Sequence, residues 1–349
     1  MQQNSDSVRE EGLQLSKGKQ KGLAALSDGR GVIAALAIDQ RSALRKLFST
    51  ASGRAANDIP GEWLAAFKTE VSKLLTPYAS AILLDPEYGL TAAAHRDSHA
   101  GLLLAYEKTG YDRSIPGRLP STLEGFSVTR LKEAGANAVK VLLYYSPFSP
   151  AQINAKKYAW VRQVSEECAS ADIAFFLEIV CYHDDMDDKG PEFARVKPDA
   201  VVRAVEEFSN PRYAVDVIKI GVPVNMKFVR SAEVLPEIGI YTREEAIAHF
   251  RRASDACSVP FIYLSEGVSN ELFGVALDIA ASAGAAYSGV LCGRATWQDG
   301  VSVFVKNGAE ALDAWLRDQG AKNIQSINSR LTAAQPWHKR IRIVEGRTA

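Results

Sequence analysis

The sequence predicts an α/β fold, a single (β/α)8 TIM barrel. Three observations carry that prediction. Eight short apolar runs, rich in β-branched residues, recur along the 349-residue chain. Amphipathic segments of helical period separate them. No linker rich in Pro, Gly or Ser divides the chain. Near-continuous apolar runs of this length suit strands buried on both faces. Strands alternating with helices imply βαβ units and a parallel sheet, and eight such units point to a closed barrel. The competing architecture, an open doubly wound sheet, ordinarily shows a glycine-rich turn after its first strand. Here the first strand runs into Asp39-Gln40-Arg41 instead.

The strands are expected, in order, at Gly31–Asp39 (GVIAALAID), Ser80–Asp85 (SAILLD), Gly101–Glu107 (GLLLAYE), Ala138–Tyr144 (AVKVLLY), Ile173–Val180 (IAFFLEIV), Val215–Val222 (VDVIKIGV), Pro260–Ser265 (PFIYLS) and Ser288–Gly293 (SGVLCG). Helical periodicity falls between them at Gly61–Thr76, Leu123–Glu133, Ile153–Ala171, Asp199–Phe208, Arg243–Ala256 and Asn270–Ala283. Two further helical patterns follow the last strand, at Ala309–Asp318 and Lys322–Leu331. The basic end, Trp337-His338-Lys339-Arg340, is expected to be exposed. Residues 1–20 are polar and charged and read as a poorly ordered N-terminal extension. Residues 21–349 then form the barrel with its C-terminal helices.

Composition narrows the function. Formal net charge is zero, so no broad basic field exists to attract nucleic acid or an anionic membrane. Any anion must be held by a local site. The N-terminus lacks the apolar core of a signal peptide, and no apolar stretch reaches membrane-spanning length without a charge or a turn. The four cysteines (Cys168, Cys181, Cys257 and Cys292) are widely spaced with no CxxC pair. They read as buried free thiols of a reducing compartment, and a cytoplasmic location is expected. The sequence carries no signal for or against a homo-oligomer.

In this fold the C-terminal rim of the barrel holds the active site, so ionisable residues within or just beyond the strands are the candidates. Asp39 ends the first strand and Asp85 the second. Lys140 lies inside the fourth, Glu178 inside the fifth and Lys219 inside the sixth. Ser265 ends the seventh, and Arg294 follows Gly293 after the eighth. Charges embedded in apolar strands are costly unless paired. An amine buried beside a second cation gives up its proton more readily and can then attack a ketone to form an imine. Either lysine fits that role on these grounds. Glu178, set among Phe175, Phe176 and Leu177, is expected to have a raised pKa suited to proton shuttling. Loops after the last two strands commonly bind phosphate in barrels, which makes Ser265, Gly293 and Arg294 anion candidates. A metal-dependent site would need several rim ligands. His95 and His99, or His183 with the acidic run Asp184–Asp188, could supply them, but the buried lysines would then have no task. No metal and no cofactor is expected, and the acidic run reads as a solvated loop.

These residues fall within stretches that resemble the class I (Schiff-base) tagatose 1,6-bisphosphate aldolase family. The stretches are Ala37–Arg41 (AIDQR), Leu83–Leu90 (LLDPEYGL), Gly101–Asp112 (GLLLAYEKTGYD), Lys140–Tyr145 (KVLLYY), Phe175–Ile179 (FFLEI), Pro223–Lys227 (PVNMK), Tyr263–Ser265 (YLS) and Gly289–Trp297 (GVLCGRATW). They extend from about residue 20 to about residue 330. The resemblance implies that Lys219, not Lys140, is the imine-forming lysine and that Glu178 is the acid/base carboxylate. It places Asp39 and Lys140 around the reacting centre. Gln40, Ser265, Gly293 and Arg294 fall at positions that hold substrate oxygens or phosphate. One departure stands out: the family carries a glutamate two positions after the lysine, where this chain has Gly221.

The activity so implied is reversible cleavage of a phosphorylated ketose, D-tagatose 1,6-bisphosphate, to dihydroxyacetone phosphate and D-glyceraldehyde 3-phosphate. The proton of the C4 hydroxyl would pass to Glu178 or to Asp39. Tagatose and fructose bisphosphates differ at C4 alone, so a site that holds that hydroxyl loosely accepts both. Two other readings share the fold: a sulfofructose phosphate aldolase using the same lysine, and a non-catalytic sugar-phosphate sensor.

Overall fold

Eight parallel strands pair in sequence order, and the eighth returns to the first, closing the predicted barrel. The computed structural model describes residues 15–112, 114–230 and 239–340. The strands are β1 (Ile33–Ala37), β2 (Ala81–Leu84), β3 (Gly101–Ala105), β4 (Ala138–Tyr145), β5 (Ala174–Cys181), β6 (Val217–Gly221), β7 (Phe261–Leu264) and β8 (Gly289–Cys292). Each lies within or beside the apolar run that predicts it. The helices are α1 (Lys17–Ala25), α2 (Ser42–Ser52), α3 (Gly61–Leu75), α4 (Leu90–Ala94), α5 (Val128–Glu133), α6 (Ala151–Ser170), α7 (Pro191–Phe208), α8 (Arg243–Ala256), α9 (Asn270–Ser282), α10 (Arg294–Trp297), α11 (Gly300–Trp315) and α12 (Ala321–Asn328).

Local chemistry explains several helix boundaries. A capping box, Thr242 with Glu245, starts α8, and the Ser269 and Ser127 side chains cap α9 and α5. Each satisfies a backbone N–H that the first turn leaves without a partner. The helix expected at Leu123–Glu133 starts later because Gly125 turns the chain at φ 79°. The one expected at Asp199–Phe208 starts eight residues earlier, at Pro191, and passes through Pro198. A proline inside a helix frees the carbonyl four residues back. Here that carbonyl belongs to Ala194, and it accepts the Tyr241 hydroxyl at 3.0 Å. Helices α1, α2 and α4 lie outside the expected set, although α2 carries an apolar stripe at Leu44, Leu47, Phe48 and Ala51.

Alternation along the strands builds two cores. Outward-facing residues such as Val139, Phe175 and Ile218 pack against the helices. Inward-facing residues, among them Ile33, Ala81, Leu103, Phe176 and Ile262, fill the barrel. Leu15, Leu23 and Leu26 join this inner core from the N-terminal end, as does Trp337. Two expectations are corrected here. Residues 15–20 do not belong to a loose extension: Lys19 is buried and pairs with Asp216 at 2.9 Å. The first fourteen residues lie outside the described residues. The basic end is not simply exposed either. Trp337 is buried, and the Arg340 guanidinium lies over the Phe261 ring and bonds the Cys257 carbonyl. The bottom of the barrel is thus plugged from both ends of the chain, which leaves the C-terminal face for chemistry. All four cysteines are buried and free. Among the described residues no helix is long and apolar enough to cross a membrane.

Candidate active site

The alternation that lines the lower barrel with alanine and leucine brings charged residues to the same inner face higher up. Asp39 lies just past β1 and Glu107 just past β3. Lys140 projects from β4, Glu178 from β5 and Lys219 from β6. Strand register pairs Glu178 with Lys219 and sets Leu142, two residues above Lys140, beside Glu178.

Lys140 is the hub. It is fully buried. Its ammonium donates to Asp39 Oδ2 at 2.7 Å and to Glu107 Oε1 at 2.9 Å, and it stands 2.8 Å from Glu178 Oε2. Three carboxylates thus surround one ammonium, two of them hydrogen-bonded to it. Burial opposes a charge on Lys140, but Asp39, Glu107 and Glu178 outweigh it and hold its pKa well above the ordinary lysine value. A firmly protonated amine is a poor nucleophile. Lys219 is 3% exposed and meets the same Glu178 oxygen at 2.9 Å. Among the described residues no other carboxylate pairs with it.

Glu178 therefore sits between two ammonium groups, and the expected upward pKa shift is not found. Burial pushes the carboxyl up, but Lys140 and then Lys219 outweigh it and hold it below its usual range. The aromatic neighbours that suggested otherwise point elsewhere: Phe175 faces the helix layer and Phe176 the barrel floor. Asp39 behaves alike. Burial raises it, Lys140 and Lys219 lower it, and it ends well below the carboxylate range. Glu107 differs: burial prevails over Lys140 and Arg41 and leaves its carboxyl raised.

The cluster adjoins a cavity of about 420 Å³ at the C-terminal face, in the size range of small-molecule sites. Asp39, Gln40, Glu107, Glu178 and Arg294 line it. Lys140 and Lys219 stand behind this wall, each touching Glu178. Ser265 and Gly293 also lie behind it. Ser265 is buried beside the Cys292 thiol. Gly293 packs so closely that a Cβ would meet the Ala37 carbonyl at 2.8 Å and the Gln40 amide at 3.4 Å. Arg294 lies across Gly267, where a Cβ would stand 2.6 Å from the guanidinium carbon. All eight candidate residues thus gather at one end of the barrel.

Glu107, Arg41 and Lys197 do not stand out from sequence, and Glu266, which follows Ser265 in the loop expected to hold phosphate, is paired with Lys197 instead. Glu107 could have done so, because it extends β3 in phase with inward-facing Leu103 and Ala105. Arg41 salt-bridges Glu87 at 2.7 Å and donates to the Glu107 carbonyl at 2.8 Å. Asp85 takes no part in the cavity. It is fully buried, pairs with Lys68 of α3, and accepts from the Tyr88 N–H at 2.9 Å. Asp85 so fixes the loop that carries Glu87 to Arg41.

The histidines do not assemble. The α4 helix ends before His95, and His99 turns to Asp97 at 2.6 Å. Asp188, read as part of a solvated loop, instead pairs with Arg118 at 2.6 Å and lines the cavity. Among the described residues no group of three His, Cys, Asp or Glu side chains is disposed to hold a metal ion.

Gly221 has a specific occupant opposite it. A Cβ there would meet Glu266 Oε1 at 2.2 Å, and Glu266 forms an ion pair with Lys197 on the cavity wall. The Glu266 carboxylate thus fills the space a side chain at position 221 would need. Gly221→Glu is expected to lower the unfolding free energy by about 1–3 kcal/mol, the usual cost of overpacking. Adding Glu266→Ala should restore most of it, because the two changes share one volume. Urea midpoints of the two single variants and the double variant check this. Additive losses would count against it.

Comparisons with known proteins give the chain relatives. Residues 33–299 match the family model described as "DeoC/LacD family aldolase". Tagatose 1,6-diphosphate aldolase 2 of Enterococcus faecalis is 49% identical over 337 residues, covering 96% of this chain and 100% of the relative. Tagatose 1,6-diphosphate aldolase of Listeria monocytogenes is 49% identical, covering 93% and 95%. Among solved structures, fructose-bisphosphate aldolase of Plasmodium falciparum, in complex with TRAP and a small-molecule inhibitor, superposes with a TM-score of 0.64. It is 14% identical and covers 92% of this chain and 97% of its own. At that identity the likeness speaks for the barrel alone.

Proposed function

The chain belongs to the DeoC/LacD aldolase family, and on that premise we propose that it cleaves D-tagatose 1,6-bisphosphate reversibly through a Schiff base on Lys219. The products are dihydroxyacetone phosphate and D-glyceraldehyde 3-phosphate. One observation carries the choice of lysine. Lys140 is held among three carboxylates, two of them hydrogen-bonded to it, whereas Lys219 meets one, Glu178, at 2.9 Å.

Each residue has a task in this scheme. The Lys219 amine attacks the C2 ketone, and Glu178, 2.9 Å away, passes the protons needed to expel water from the carbinolamine. The protonated imine then accepts the electrons of the C3–C4 bond. Lys140 stays charged throughout and keeps Asp39 and Glu178 ionised and fixed. Arg294, with Lys189 and Lys227 elsewhere on the wall, offers cations to the phosphates. None of the three pairs with a carboxylate among the described residues. Gln40 and the Gly293 backbone stand beside Arg294 to receive phosphate or hydroxyl oxygens. Hydroxyl orientation at C4 is all that separates tagatose from fructose bisphosphate, so the fructose isomer is expected to be cleaved as well, at a lower kcat/KM.

The test is borohydride reduction in the presence of dihydroxyacetone phosphate and a chelator, followed by peptide mapping. A stable triose phosphate adduct on Lys219 is expected. An adduct on Lys140 would reverse the two lysines. The absence of any adduct, with cleavage abolished by the chelator, would overturn the scheme.

A further inference from the structure

The loops after β3 and β5 both reach the cavity. Lys108, Thr109 and Gly110 line it from the first, Asp188 and Lys189 from the second. Among the described residues one ion pair joins these loops. The Arg118 guanidinium donates to Asp188 Oδ2 at 2.6 Å and to Oδ1 at 3.3 Å. Such a two-pronged bond fixes orientation as well as distance. The guanidinium is itself caged. Its carbon stands 4.1 Å from the centre of the Tyr182 ring, 5.5 Å from that of Tyr111 and 5.9 Å from that of Tyr144. Cations are drawn to aromatic faces at these separations. The backbone beneath takes a conformation that non-glycine residues avoid, with Arg118 at φ 49° after Gly117 at φ 93°. The buried Tyr182 hydroxyl donates to the Gly117 carbonyl at 2.9 Å and accepts from Lys157 at 3.0 Å. Strain of that kind persists only where the surroundings impose it.

The ion pair secures a short turn. Within it the Asp187 side chain accepts the Lys189 N–H at 3.1 Å, and the Asp187 carbonyl accepts the Gly190 N–H at 2.9 Å. Among the described residues no side chain from outside the turn bonds it except Arg118. Asp188 therefore faces Arg118, while the next residue, Lys189, stands on the cavity wall.

We infer that Arg118 is a positioning residue for the substrate: by holding Asp188 it sets the Lys189 ammonium on the wall as the cation for one of two phosphates. The inference rests on the bisphosphate reading above. Lys189 comes from the loop after β5 and Arg294 from the loop after β8, on separate sides of the closed ring. A substrate with a phosphate at each end suits cations so divided. A lysine is a point charge on a flexible stem. On a loose loop it would lose freedom when it met a phosphate, and that loss would weaken binding. Arg118 fixes the loop beforehand, so the ion pair acts on binding and not on the bond that breaks.

The test separates binding from turnover. With Arg118→Ala the KM for tagatose 1,6-bisphosphate is expected to rise about ten-fold, while kcat stays within about three-fold of wild type. Each product carries one of the two phosphates, so product inhibition locates the loss. Inhibition by one triose phosphate, dihydroxyacetone phosphate or glyceraldehyde 3-phosphate, should weaken about ten-fold, while that by the other holds within about two-fold. Lys189→Ala should reproduce this pattern. Adding Arg118→Ala to it should change KM by less than about two-fold, because the first residue acts through the second. Arg118→Lys keeps the charge without the fork and should fall between wild type and Arg118→Ala. Should Arg118→Ala not fold, Asp188→Asn cuts the same pair, leaves the guanidinium on its rings and is expected to raise KM alike. An unchanged KM on loss of the pair would overturn the inference. So would equal weakening of both triose phosphates, or fully additive losses in the double variant, either of which would make Arg118 a structural residue. A wild type that cleaves no tagatose 1,6-bisphosphate would instead sink the bisphosphate reading on which the inference rests.

Discussion

Lys219→Met lowers the cleavage rate by about 10⁵-fold or more, about 7 kcal/mol at 1.36 kcal/mol per decade, and leaves the fold in place. The size follows from the chemistry. Without the amine there is no imine, and a neutral ketone is a poor acceptor for the electrons of the breaking bond. The persistence of the fold follows from the geometry. Methionine fills the volume of the lysine stem, and Glu178 keeps the Lys140 ammonium at 2.8 Å, so no buried carboxylate is left without a cation. Steady-state cleavage, borohydride trapping and a urea melt on one preparation check this. Cleavage within about ten-fold of wild type would remove Lys219 from the mechanism. A collapsed fold would show that Lys140 alone cannot hold Glu178. Residual rate is not expected from Lys140, which three carboxylates hold as a cation.

Much of this arrangement was legible in the chain. The eight apolar runs marked the strands because burial on both faces leaves little room for polar residues. A lysine or glutamate within such a run therefore stands out as a site candidate. Lys140, Glu178 and Lys219 stand out that way. Asp39 was found because it closes a strand, and Arg294 because it follows one. What remained hidden depends on distance across the barrel rather than along the chain. Spacing gives no sign that Lys140 gathers three carboxylates from three other strands. Without that knowledge, Glu178 looks like a carboxyl among aromatics and its pKa is read in the wrong direction. Glu107 was passed over because Tyr106 and Lys108 around it hide the inward phase of Leu103 and Ala105. Helix α7 was cut short at Pro198 because the partner that rescues it, Tyr241, comes from a distant loop. The plug at the bottom of the barrel was missed because α1 and the segment around Trp337 look polar, and each buries only a few residues.

The Lys140 hub has a consequence for stability that its chemistry alone would not suggest. Lys140→Met is expected to cost about 3–5 kcal/mol at pH 7, the usual penalty for leaving buried charge uncompensated. That is a large share of the stability of an ordinary domain. The pH dependence tests the cause. In the wild type, Asp39 and Glu178 titrate below their ordinary values. Their stabilising contribution is therefore present above about pH 4 and is lost as pH falls through the lowered values. The pKa of Lys140 is raised, so its contribution is complete below about pH 10 and fades only above that. Across the range between, Asp39, Glu178 and Lys140 contribute in full, while Glu107, raised by burial, gains as pH falls through its raised value. Removing the ammonium leaves Asp39, Glu107 and Glu178 buried together, with Lys219 as the cation facing Glu178. Burial and mutual repulsion then raise their pKa values, and the folded state gains by taking up protons. From pH 8 to pH 4 Lys140→Met therefore gains on the wild type, in which Asp39 and Glu178 are lowered and Glu107 alone of the three is raised. Unfolding free energies from urea titrations across that range should converge toward the acid end. A deficit of constant size at every pH would mean that lost packing, and not unpaired charge, is what the substitution costs.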